Sequence, residues 1–151
     1  MIEKLNDPAL EEELEKLDDL AQAGQPQELK RETIKALGDL SGQGEVYRNR
    51  GVVCAVTDEK AQALAMYEKA LPLFEQADNP GGQGQVYRNL GEIHARTGET
   101  AKALAMYEKA LQCFEKAGST LALGAVYFDR GRIHARVGET GQALAMYEQA
   151  L

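Results

Sequence analysis

The sequence predicts an all-α solenoid, an array of antiparallel helix pairs stacked along one axis. Three observations predict it. Gly44, Gly84 and Gly124 each open a Gly-x-Val-Tyr segment, at one constant spacing. The block Ala-Leu-Ala-Met-Tyr-Glu occurs three times, starting at Ala63, Ala103 and Ala143, with that same spacing. The segments Gly84–Leu111 and Gly124–Leu151 are identical at most positions. Self-similarity at a fixed period of this length marks supersecondary units that bury their apolar faces only by stacking.

Each unit reads as two helices. In the middle unit Val86, Tyr87, Leu90, Gly91 and His94 fall on one face at helical spacing. Thr97-Gly98 closes that helix, since glycine takes the left-handed conformation without strain, and Glu99-Thr100 opens the next. The second helix carries Ala103, Leu104, Tyr107, Ala110, Leu111 and Phe114 as one apolar stripe. Breakers are expected after second helices, at Asp78-Asn79-Pro80-Gly81-Gly82 and at Gly118-Ser119.

The series Tyr87, Leu90, Gly91, His94, Ala103, Tyr107 and Ala110 resembles the tetratricopeptide repeat. The neighbouring units carry it as Tyr47, Gly51, Ala63, Tyr67, Ala70 and as Tyr127, Gly131, Ala143, Tyr147, Ala150. Arg50 and Arg130 replace the family's Leu, and the terminal Pro is absent. The period, read from Gly44 to Gly84 to Gly124, also exceeds the roughly 34 residues usual for the family. That longer variety is similar to the repeats of Pins-type scaffolds and of bacterial tetratricopeptide proteins. The resemblance implies a right-handed solenoid with first helices lining a concave groove and second helices forming a convex back. Gly at the eighth position of a unit and Ala at the twentieth are expected to let the two helices approach closely.

The division is residues 1–43 as a divergent helical pair acting as a cap, then units at 44–83, 84–123 and 124–151, the last with a shortened second helix. In the cap, Asp7-Pro8 opens a helix with the stripe Leu10, Leu14, Leu17, Ala21, and Gly24-Gln25-Pro26 breaks it. A second helix from about Gln27 carries Leu29, Ile34 and Leu37 before Gly38. The sequence stops at Leu151 inside a second helix, which reads as the end of a fragment or as a face for pairing.

Composition narrows the class. Hydrophobic residues make up 44% and charged residues 27%, without Trp, which excludes disordered, collagen-like and disulfide-framed chains. No apolar run approaches the roughly 18 residues of a membrane span, and the N-terminus lacks a secretory signal. With only Cys54 and Cys113, both expected to stay reduced, a cytoplasmic setting is the expectation.

The net charge of -7 is unevenly placed. Residues 1–43 carry -6, the first helices of the three units +4, and their second helices and turns -5. Every arginine beyond residue 43 stands in a first helix, and every lysine beyond it stands outside one. Arginine offers a planar fork suited to carboxylates, so the groove is expected to take a protein or peptide segment that is acidic or carboxylate-bearing. Helical geometry puts positions 5 and 9 of each first helix opposite the core stripe: Arg48 and Val52, Arg88 and Glu92, Phe128 and Arg132. Position 6 holds Asn49, Asn89 and Asp129. By resemblance, Asn there holds a peptide backbone or terminal carboxylate, and Asp129 departs from that. Glu45, Gln85 and Ala125 at position 2 argue against the chaperone-tail clamp of the family.

No catalytic set is expected, and no cofactor. Cys54, His94 and His134 share a repeat position, but units stack about 8–10 Å apart, whereas zinc ligands each sit about 2.0–2.3 Å from one ion. They are expected to be packing residues, not metal ligands. Gly-Gly-Gln-Gly at 81–84 lacks the following Gly-Lys-Ser/Thr of a phosphate loop and is expected to be an interhelical turn. Nucleic acid is disfavoured by the acidic back and cap. The expected function is non-catalytic recognition of a protein partner. The alternatives are a scaffold whose repeat ends stack into homo-oligomers, and a regulatory domain of a larger protein.

Overall fold

A computed structural model describes residues 26–151, together with Asp19 and Gly24. The described helices are α1 (Pro26–Val56), α2 (Lys60–Gln76), α3 (Pro80–Arg96), α4 (Thr100–Ala117), α5 (Thr120–Arg136) and α6 (Thr140–Ala150). Helices α2, α4 and α6 begin one sequence period apart, as do α3 and α5. The predicted all-helical solenoid is what the chain forms. The expected helix at Asp7-Pro8 with its stripe Leu10, Leu14, Leu17, Ala21 lies outside the described residues.

The connections are short, and each unit closes its first helix the same way. Gly98 and Gly138 have φ of 76° and 81°, and Asp58 adopts 63° at the same repeat position. Between units, Asn79 and Ser119 cap the next first helix by accepting from Gly82 N and Ala122 N. These turns are tight, so successive helices run antiparallel and stay in contact.

Two expectations about boundaries are corrected. Gly38 does not end a helix: α1 continues through it and through Gly42 and Gly44 to Val56. Glycine inside a helix costs only about 1 kcal/mol relative to alanine, too little to force a break. Gly81–Gly84 is not a turn either. Asn79 caps α3 and Pro80 occupies its first turn, so the glycines lie inside the helix. Gly82 and Gly84 are buried there, Gly82 against the ring of Phe74 and Gly84 against that of Phe114.

The core joins the two helices of each unit and continues across the boundary to the next. Ala63, Tyr67, Ala70 and Phe74 of α2 pack with Val86, Leu90 and Ile93 of α3. One period later Ala103, Tyr107, Ala110, Leu111 and Phe114 of α4 pack with Val126 and Ile133 of α5. Val46 and Val53 of α1 occupy the positions of Val86 and Ile93, yet both are exposed. That face of α1 has no covering helix among the described residues.

Neighbouring first helices touch one another, α1 with α3 and α3 with α5, whereas α2, α4 and α6 make no such contact with each other. The stack is therefore tighter on the first-helix side, and α1, α3 and α5 form the inner layer. No described helix is long and apolar enough to cross a membrane.

Candidate functional site on the first-helix face

The inner layer carries the arginines, and the structure assigns most of them a partner. Arg48 turns back on its own helix, with Nη2 2.8 Å from Glu45 Oε2. Arg88 reaches across the unit boundary, with Nε 2.7 Å from Asp129 Oδ2. Arg130 Nη1 lies 3.5 Å from Glu108 Oε2 on the helix before it. Arg96 and Arg136 each donate to a carbonyl of the preceding first helix, at Ala55 O (3.3 Å) and Ala95 O (3.0 Å). These last two contacts are one interaction repeated in the next unit. Both carbonyls lie in the last turn of their helix, where an oxygen has lone-pair capacity left for a side-chain donor; Ala95 O accepts from Gly98 N as well.

The two unit junctions differ at position 6. Asp129 captures Arg88 of the preceding unit. Asn89 stands in the same relation to Arg48 and carries no charge to capture it. Its amide Nδ2 is buried without a hydrogen-bond partner. A buried donor left in this state costs about 1–3 kcal/mol unless something accepts from it.

The nine residues expected to meet a ligand are distributed as follows. Arg48 and Arg88 are half-buried in ion pairs. Asn49 and Val52 lie on α1 and are both exposed. Phe128 is exposed and leans against the ring of Tyr147, at a centroid distance of 5.6 Å. Glu92, Asp129 and Arg132 come together around a cavity of about 270 Å³ between α3 and α5. Sequence reasoning missed five of its lining residues, Ala95, Arg96, Tyr107, Ile133 and Arg136. The signal was present for the arginines: both follow an alanine, Ala95 and Ala135, at one repeat position. Tyr107 was read only as a core aromatic.

Electrostatics at the cavity are mixed. Burial, then the negative charges of Asp129 and Glu92, push the Tyr107 hydroxyl well above the ordinary phenol range. It stays protonated and available as a donor. Tyr67, one unit earlier, is pushed up to about 12 by burial first and Glu92 second.

The shared position of Cys54, His94 and His134 carries local polar contacts. His134 Nδ1 meets Glu139 Oε2 at 2.5 Å, and His94 Nδ1 meets Glu99 Oε1 at 3.3 Å. Cys54 Sγ faces Gln62 Oε1 at 3.9 Å. Each histidine thus meets the glutamate that precedes its second helix, while His134 is nearly buried and His94 partly exposed. Among the described residues no three His, Cys, Asp or Glu side chains are grouped to hold a metal. Cys54 and Cys113 are both free thiols.

A stack of short-linked helix pairs with a polar, arginine-bearing inner layer defines a helical-repeat protein. Residues 82–151 match the family model of the tetratricopeptide repeat. The preceding pair, from Gly44, repeats the same residues in register. A search among curated proteins returns no match. Tetratricopeptide repeats are in general modules for protein–protein interaction.

Proposed function

We propose that the chain binds a segment of a protein partner along the first-helix face, with a preference for acidic or carboxylate-bearing peptides. The observation that carries this reading is the segregation of arginine: Arg48, Arg88, Arg96, Arg132 and Arg136 all belong to α1, α3 and α5. The unpartnered amide of Asn89 beside that row supports it, because a peptide carbonyl would satisfy it. Asn49, Val52 and Phe128 supply contact surface on the same helices. The test is selection from a random peptide library at about physiological salt, repeated on the Arg48→Ala/Arg88→Ala double variant. Enrichment of Asp and Glu, reduced in the variant, supports the reading. Enrichment of basic peptides sinks it, as does tight binding of random-sequence DNA.

A second reading, self-association through the ends of the stack, rests on exposed apolar side chains. Val46 and Val53 at one end, with Leu121 and Leu144 at the other, are uncovered. Arg50 occupies the position of Arg130, and Glu148 that of Glu108, so a second copy stacked in register would pair them. Sedimentation equilibrium decides it: mass rising with concentration favours stacking, and a constant monomer removes it.

A further inference from the structure

The cavity between α3 and α5 has a floor and a rim of different chemistry. Tyr107, Ile133 and Ala95 line it with apolar surface, and Tyr107 and Ile133 are buried. Three guanidinium groups, of Arg96, Arg132 and Arg136, and one exposed carboxylate, Glu92, stand around them. Asp129 also lines it, but its carboxylate is committed to Arg88 at 2.7 Å, with Arg132 at 4.0 Å. The uncommitted charge at the rim is therefore positive. The space, about 270 Å³, exceeds what a lone carboxylate fills, since one water occupies about 30 Å³ in the liquid.

We propose that this cavity is a subsite for one aliphatic side chain of a bound peptide, with an adjacent Asp or Glu held by Arg132 and Arg136. The proposal rests on the first-helix face being the peptide groove, and it names where on that face the acidic preference resides. Arg132 is the most exposed of the paired arginines and makes only the long contact to Asp129, so its fork is the most accessible to a ligand. Arg136 is already anchored at one nitrogen by Ala95 O, which fixes its position before a ligand arrives. The protonated Tyr107 hydroxyl adds a neutral donor to the lining. Glu92 opposes an acidic ligand, so the site is tuned to one carboxylate beside an apolar group and disfavours a polyphosphate backbone.

The test is fluorescence anisotropy with a labelled peptide carrying Leu flanked by Glu in a Gly-Ser sequence. Two control peptides replace Leu by Ala or Glu by Gln. The parent peptide is expected to bind more tightly than either control. Arg132→Ala is expected to weaken it about tenfold, and Glu92→Gln to tighten it by a few-fold. Glu68→Gln, on the exposed surface of α2, is expected to leave it unchanged. Both lining variants are at exposed positions, and Glu92→Gln gains function, which misfolding cannot mimic. Equal binding of parent and controls, or loss in Arg48→Ala without loss in Arg132→Ala, overturns the subsite and leaves the groove standing. Failure of the protein to bind any peptide, library-selected ones included, overturns both.

Discussion

The guanidinium of Arg88 on α3 and the carboxylate of Asp129 on α5 form a 2.7 Å ion pair that joins the second and third units. Asp129 is largely shielded from solvent, so the pair is worth more than a surface bridge. The corresponding residues one period earlier are Arg48 and Asn89, and there Arg48 pairs instead with Glu45. Asp129→Asn is expected to lower stability by about 1 kcal/mol, because it strands Arg88 at the junction. Asn89→Asp is expected to raise it, by giving Arg48 the partner that Arg88 has and removing an orphaned amide. Urea denaturation of the two variants checks this, and equal midpoints would contradict the assigned junction asymmetry.

Glycine at the eighth position admits an aromatic ring. A β-carbon on Gly91 would lie 2.6 Å from Tyr107 Cε1, and Gly51 and Gly131 meet Tyr67 and Tyr147 in the same way. The close approach expected there between helix and helix is thus an approach between backbone and tyrosine. Gly91→Ala is expected to cost about 1–3 kcal/mol through overpacking. Gly141→Ala meets nothing within 4 Å, stands where the other units carry Ala61 and Ala101, and is expected to stabilise by about 0.5 kcal/mol. Thermal melts of the two variants should move in opposite directions.

Glu99 gathers four partners at the start of α4. Lys102 and Lys60 hold its oxygens at 2.8 and 2.7 Å, and Thr97 and His94 also contact it. Together, Lys102 first and Lys60 second, they hold its carboxyl well below the usual range. A depressed folded-state pKa adds stability above the unfolded value near 4.5, which is lost progressively as pH falls below it. The melting temperature of the wild type is therefore expected to fall more steeply between about pH 5 and pH 3 than that of Glu99→Gln. Parallel curves would contradict the hub.

Exposure along α1 separates positions that sequence alone treats as equivalent. Val53→Asp is expected to change stability by less than about 0.5 kcal/mol, since Val53 is exposed. Ile93→Asp places a charge in the interface between α2 and α3 and is expected to unfold that junction. Circular dichroism of both variants checks the contrast.

The repeat register was legible because each unit reuses one set of small and aromatic residues. Gly51, Gly91 and Gly131 recur with Tyr67, Tyr107 and Tyr147 in that register, but that each glycine faces the ring of its own unit's tyrosine was not readable from spacing. The continuity of α1 was not legible. Gly38-Asp39 offers turn chemistry at the same register as Gly118-Ser119, and only the wider packing decides whether it is used. The pairing of Arg88 with Asp129 was hidden for a different reason. It crosses a unit boundary and depends on the rotation between stacked units, which periodicity does not encode. Tyr107 was likewise readable as a core residue, but its place beneath the cavity arises from two helices of different units.

The central claim is that ligand recognition belongs to the first-helix face, and amide chemical-shift mapping with a library-selected acidic peptide tests it most directly. The account predicts perturbations concentrated on α3 and α5, around Glu92, Asp129, Arg132 and Arg136, with α2, α4 and α6 little changed on their outer surfaces. Perturbations confined to the exposed residues of α2 and α4, such as Glu68 and Lys109, would contradict it.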